Sequence, residues 1–208
     1  MAKAGTKRRD DTGAQTRGRI VAAALKTLRE EGFAGTSARA IASRAGVSQA
    51  AVFYHFGRVE DLLLAALDET AAQRLAAYEE AVGGATSLPD LLAVAADVYR
   101  EDLAAGHLTV LAEMIGGASS SPELGRAIAA RIRPWVEFVE GAVERVLEGS
   151  PLAALVPASD VAFAIVALYL GVEMLTHLDG SAARAESLFA SAQQLGSLLA
   201  PLLGGGSR

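Results

Sequence analysis

Gly32-Phe33-Ala34-Gly35-Thr36-Ser37-Ala38-Arg39-Ala40-Ile41-Ala42-Ser43-Arg44-Ala45-Gly46-Val47-Ser48-Gln49-Ala50-Ala51-Val52-Phe53-Tyr54-His55-Phe56-Gly57 decides the fold. It reads as two short helices, over 37–45 and 49–56, that meet at Ala45-Gly46-Val47-Ser48. Thr36 is placed to cap the first helix and Ser48 the second, because a short hydroxyl accepts hydrogen bonds from the first unpaired amides. Ala45 is small enough for close approach, Gly46 supplies a left-handed turn, and Val47 and Ile41 point inward. Such a pair presents the N-terminal half of its second helix outward, sized for a DNA major groove. The side chains there are short or polar: Gln49, Ala50 and Ala51, then Tyr54 and His55. Glutamine matches the edge of adenine and alanine the methyl of thymine. Phe53 and Phe56 are expected in the core.

Working outward, a helix over 15–31 carries Ile20, Ala23, Ala24 and Leu28 at helical spacing and stops at Gly32. Residues 1–13 are polar and charged and read as a disordered basic arm. Downstream the pattern gives helices over 60–82, 88–105, 107–115 (ended by Gly116-Gly117), 123–148 (interrupted by Pro134, with a kink near Arg131), 159–178 and 181–203. No strand alternation and no internal repeat occur. The expected architecture is all-α, about nine helices. A helix-turn-helix domain spans 14–60, and a larger helical effector and dimerisation domain spans 61–208.

Charge follows the same division. The chain carries a net −5, but residues 1–60 hold eleven Lys/Arg against five Asp/Glu, whereas 61–208 hold eight against nineteen. A basic head on an acidic body confines any polyanion to the head.

Together Gly32-Phe33, Thr36-Ser37, Ile41-Ala42, Ala45-Gly46-Val47-Ser48, Phe53-Tyr54-His55-Phe56-Gly57 and Glu60-Asp61-Leu62-Leu63 resemble the tetracycline-repressor-like (TetR) family of transcriptional regulators, over about residues 15 to 65. The resemblance implies a homodimer with an effector domain and does not name the effector. The reading favoured here is a repressor on double-stranded DNA, released from a palindromic operator by a small apolar effector, although a ligand that promotes binding fits the sequence too. Two positions depart from it. The family has a phosphate-touching tyrosine where this chain has Phe53, with Tyr54 beside it, and a lysine where this chain has Val59, with Arg58 beside it. Carried over residue by residue, the DNA contacts are Thr36, Ser37, Ser48, Gln49, Ala50, Ala51, Tyr54, His55 and Arg58. Arg39 and Arg44 add charge. Phosphate contacts position the protein, so base reading falls to Gln49, Ala50 and Ala51.

In the last helix Leu188, Ala192, Leu195, Leu199 and Leu202 form a heptad-like stripe. The helix before it is apolar on more than one face, with Ile165, Leu168, Val172 and Leu175 along one of them. These residues are the expected dimer seam. Pocket candidates are Tyr99, Met114, Trp135, Phe138, Phe163, Tyr169 and His177, with Glu113, Glu173 and His107 as further polar partners.

Other chemistries find little support. The chain has no cysteine and three histidines, and it lacks H-E-x-x-H, a nucleophile elbow and a phosphate-binding glycine loop. No enzyme activity, metal site or cofactor is expected. The longest apolar run, 161–172, is shorter than the ~18 residues of a membrane span, and no apolar stretch follows the basic start, so a cytoplasmic protein without a membrane partner is expected. The rival reading is a helical small-molecule-binding dimer whose DNA binding is weak or lost.

Overall fold

The computed structural model describes the backbone of residues 3–85, 87–119 and 121–203, and side chains from residue 13 onward except 72, 73, 108, 151, 152 and 200–203. Its elements are α1 (Lys3–Gly35), α2 (Ala38–Ala45), α3 (Gln49–Phe56), α4 (Val59–Gly83), α5 (Leu88–Ala105), α6 (His107–Ala118), α7 (Pro122–Leu147), a 3-10 turn (Pro151–Ala154), α8 (Ala158–Asp179) and α9 (Ala183–Leu203). No strand occurs among the described residues.

Backbone chemistry sets the helix ends. At Gly32 (φ 71°, ψ 178°) the helical path of α1 breaks. The Phe33 amide released there donates to Glu113 Oε2 at 2.8 Å, and Thr36 Oγ1 donates to the Gly32 carbonyl at 2.7 Å. Thr36 is therefore not the cap of α2. Ser37 is the last extended residue (φ −116°, ψ 157°), and its hydroxyl accepts from Ala40 N. Gly46 takes the left-handed conformation (φ 64°, ψ 41°), and Ser48 caps α3 by accepting from Ala51 N. Arg19 braces the turn from α1, its Nη2 donating to the Ala45 carbonyl at 2.6 Å and the Gly46 carbonyl at 3.1 Å.

Three expected boundaries move. The backbone is helical from Lys3, where an irregular arm was expected; Met1, Ala2 and the arm's side chains up to residue 12 lie outside the described residues. α6 continues through Gly116-Gly117 to Ala118, since a helical glycine costs only ~1 kcal/mol. Gly117 has a positive use there, because a Cβ on it would come within 2.5 Å of the Phe33 ring. α7 runs through Pro134 as one helix.

The chain forms two compact units, Met1–Ala71 with Glu113–Ile128, and Ala72–Ala112 with Ala129–Arg208. The first is larger than the expected 14–60, because α4 and the α6–α7 connection contribute to it. Ile20, Leu28, Ile41, Val52, Leu62, Leu63, Met114, Leu124 and Ile128 are all buried in this unit. In the second unit α9 packs mainly along α5, and Tyr99 and Ala185 form a core with Tyr169, Val172 and Phe189.

That packing leaves one face of α8 uncovered. Phe163, Ala164, Ala167, Leu168, Met174, Leu175 and Leu178 are exposed, with Gly171 half-buried among them. By length and composition α8 is apolar enough to cross a membrane, which the uninterrupted run 161–172 had not indicated. Its inward side nevertheless carries buried Glu173, an expensive group to place in lipid.

Replacing Gly46 with alanine forces a Cβ into the left-handed region. We expect Gly46→Ala to lower unfolding free energy by about 1–2 kcal/mol in a denaturant titration, with helix content unchanged.

Candidate nucleic-acid interface and ligand cavity

The first unit carries the predicted DNA residues on α2, α3 and the turns beside them. Ser48, Gln49 and Ala50 are exposed and Ala51 is half-buried. One turn on, Tyr54 is 85% exposed, with its ring edge-on to half-buried His55 at 5.3 Å. Arg39 and Ser37 are exposed on α2. Phe53 is exposed as well, contrary to the core placement expected for it. Val52 takes the inward position of α3, and one 100° step swings residue 53 outward. Phe56 returns to the inner side, half-buried, with the Arg17 guanidinium 5.0 Å from its ring centre.

Three expected contacts are engaged within the chain. Thr36 is buried, and its hydroxyl serves Gly32. Arg44 pairs with Glu30 and, at 3.0 Å, with Glu31, tying α2 to α1. Arg58 pairs with Asp61 at 3.2 Å and Glu123 at 3.4 Å; these hydrogen bonds hold its guanidinium above the usual arginine range. Arg44 and Arg58 thus meet phosphate only by exchanging or sharing carboxylate partners.

The second unit assembles a polar cluster on Asp102, which is 1% exposed. Arg74 and Tyr78 reach its carboxylate from α4, Tyr169 donates to Oδ2 at 2.9 Å from α8, and His107 Nδ1 lies 3.3 Å from Oδ1. Trp135 covers the Arg74 guanidinium at 5.3 Å and packs against the Tyr78 ring. Tyr99 bonds Thr176 at 2.7 Å. Next to this cluster, Leu103, Thr109, Glu173, Thr176, His177, Gly180, Ser181 and Ala182 line a cavity of about 250 Å³. A larger one, about 650 Å³, lies among Gly141, Glu144, Arg145, Leu147, Glu148, Ala153, Val156 and Ala158. Its polar groups are exposed or half-exposed side chains, so the smaller cavity, with a buried carboxyl in its wall, is the better ligand candidate.

Glu173 is 3% exposed, and its Oε1 has no hydrogen-bond partner among the described residues. Burial, and after it the charge of Asp102, pushes this carboxyl up to about 8. Burial and the same two carboxyls push the Tyr169 phenol far above its ordinary value.

Residues 20–66 match the sequence profile of the bacterial regulatory proteins of the tetR family. An uncharacterized HTH-type transcriptional regulator of Mycobacterium tuberculosis is 33% identical over 106 residues, 51% of this chain and 52% of that protein. Over residues 20–66 the chain is similar to the TetR family. It spans about half the length of that curated relative. Among solved structures, the fatty acid degradation regulator FadR of Bacillus halodurans superposes with a TM-score of 0.75 at 20% identity, covering 91% of this chain and 95% of that one. FadR of Bacillus subtilis, solved in complex with stearoyl-CoA, gives 0.70 at 18% identity, covering 91% and 98%. These two likenesses show the fold.

Not all the pocket residues read from the sequence stand at the cavity. Of them, His177 lines it, and Tyr99 and Tyr169 stand beside it. Trp135 covers Arg74 instead, Met114 and Glu113 belong to the first unit, Phe138 is half-buried elsewhere on α7, and Phe163 is 67% exposed on the outer face of α8. Asp102, Arg74, Tyr78 and Thr176 escaped the sequence reading. The run Tyr99-Arg100-Glu101-Asp102 looks like an ordinary solvated helix face.

Glu173 gives a signed pH effect. Its folded value is raised, so its contribution is full below the ordinary value of 4.5 and is lost as pH rises through about 8. Glu173→Gln should melt like the wild type near pH 5 and be the more stable protein near pH 8.5, by on the order of 3 kcal/mol. Melting curves of both across that range test this; parallel curves would contradict it.

Proposed function

We propose that this chain is a ligand-responsive, sequence-specific transcriptional regulator that binds DNA as a homodimer, most simply a repressor released by a small effector. The observation that carries the reading is the exposed start of α3. Gln49, Ala50 and Tyr54 stand on a helix that Gly46, Ser48 and Arg19 hold rigidly against its neighbour. In this reading Gln49, Ala50 and Ala51 meet base edges, while Tyr54, His55, Ser37, Ser48 and Arg39 meet the backbone. Arg44, Arg58 and Thr36 act mainly by shaping the head.

The uncovered face of α8 supports the dimer. Ala164, Ala167 and Gly171 recur at spacings of three and four, flanked by Phe163, Leu168, Met174 and Leu175. A second copy laid on this stripe packs closely and buries it. From α9, Leu188, Leu195, Leu198 and Leu199 add exposed apolar surface. Val172 contributes less than its spacing suggests, because it packs inward on the Tyr99 core, and Ala192 is half-buried; Leu202 lies outside the described side chains. Such a dimer is two-fold symmetric and reads a near-palindromic operator with half-sites about 34–36 Å apart. It works in the cytoplasm, where its DNA is.

The effector acts on the second unit; the Bacillus subtilis FadR solved in complex with stearoyl-CoA offers a precedent for a bound small molecule in a similar fold. α6 offers a route to the head. Thr109 lines the cavity, and four residues on, Glu113 holds the Phe33 amide. A ligand that binds one arrangement of α6 better lowers or raises operator affinity by that difference.

Selection from random DNA fragments with the full chain should recover a near-palindromic site. Gln49→Ala should weaken binding to it about tenfold, and Tyr54→Phe by a smaller factor. A protein that enriches nothing and binds all DNA alike is the ligand-binding dimer without an operator, the reading that the internal pairing of Arg44 and Arg58 favours. By light scattering, the wild type should be dimeric and Leu175→Arg monomeric; a monomeric wild type would rule out the proposed seam.

A further inference from the structure

We infer that the cavity between Thr109 of α6 and Glu173, Thr176 and His177 of α8 is a site for a small organic ammonium ion, with Glu173 as the group that receives its N–H. The inference rests on the second unit being the effector unit and goes further by naming the class of effector.

Three observations carry it. First, Oε1 of Glu173 is buried and has no hydrogen-bond partner among the described residues, and such an acceptor costs about 1–3 kcal/mol unless something binds it. Its complement is a donor. Second, the guanidinium of the neighbouring cluster, Arg74, is committed to Asp102 and lies under Trp135. An anionic ligand would meet the carboxyls of Glu173 and Asp102, whereas an ammonium ion meets a complementary field. Third, the rest of the wall is suited to a small amine: hydroxyls at Thr109, Thr176 and Ser181, and apolar surface from Leu103 and Ala182. At about 250 Å³ the cavity suits a compact molecule rather than a long acyl chain.

The carboxyl's protonation completes the arrangement. Raised to about 8, the Glu173 carboxyl is mostly neutral at pH 7 and is not an unpaired buried charge there. As an ammonium ion enters, the Glu173 O–H bond breaks, its proton passes to solvent, and the carboxylate pairs with the ligand's N–H. The titratable and charged groups around it are Asp102 from α5, Arg74 and Tyr78 from α4, His107 from α6, and Tyr169 and His177 from α8 itself. The Gly180–Ala182 segment adds none.

The test is calorimetry on the full chain with benzylammonium, benzyl alcohol and benzoate, which share one ring and differ in charge. Benzylammonium should bind at least about tenfold more tightly than either of the others, with a proton released into the buffer. Glu173→Gln should remove that preference. His177→Lys, at an exposed position on the cavity rim, should weaken benzylammonium about tenfold and leave benzyl alcohol unchanged, so the idea remains testable if the buried variant folds poorly. Preferential binding of benzoate or stearoyl-CoA, or benzylammonium binding that neither substitution weakens, would overturn it. Because no DNA is present, operator binding without an ammonium preference sinks the ligand class alone. Ammonium binding by a protein that enriches no DNA sinks the regulator and leaves the site.

Discussion

A carboxylate taken out of water loses several kcal/mol of hydration, and only charged and hydroxyl neighbours in good geometry replace it. Asp102 meets that demand with Arg74, Tyr78, Tyr169 and His107, so α4, α5, α6 and α8 converge on one side chain. Apolar packing alone would let these helices slide past one another. A shared buried anion does not, because a small displacement strands a charge. The aromatic stack of Trp135 over Arg74, the bond from Tyr99 to Thr176 and the raised carboxyl of Glu173 are all arranged around this point.

The first unit is held by a different principle. Backbone amides and carbonyls released at Gly32 and Gly46 are taken up by Glu113, Thr36 and Arg19, so the turn geometry is fixed by hydrogen bonds to specific side chains. Its basic residues are spent largely on internal architecture. Arg19 braces the turn, Arg44 ties two helices and Arg58 links α4 to the start of α7. A surplus of positive charge counted along the chain therefore overstates the positive charge available to a polyanion.

The helix order, the turn at Gly46, the Ser48 cap and the exposure of Gln49, Ala50 and Tyr54 could all be read from the sequence, because each depends on residues within a few positions. The cap at Ser37 rather than Thr36 was not, since it follows from where Thr36 finds its partner at Gly32. Nor was the membership of 113–128 in the first unit, which rests on Phe33 meeting Glu113 and Gly117 eighty residues or more away. The cavity was legible only in fragments. Glu173 and His177 were visible as polar groups on an apolar helix, but Asp102 and its partners come from four helices and leave no local pattern. Phe163 was misread for a related reason: α8 is apolar almost all round, so periodicity could not tell its buried side from its bare one.

The Asp102 cluster also bears on how this protein can change over generations. Losing any one partner strands another, so substitutions at 74, 78, 102, 107 and 169 are strongly non-additive, and a lineage can leave this arrangement only through changes that compensate one another. Leu103, Thr109 and Ala182 of the cavity wall take no part in this cluster, so the scaffold resists mutation while that part of the lining is freer to explore new small molecules.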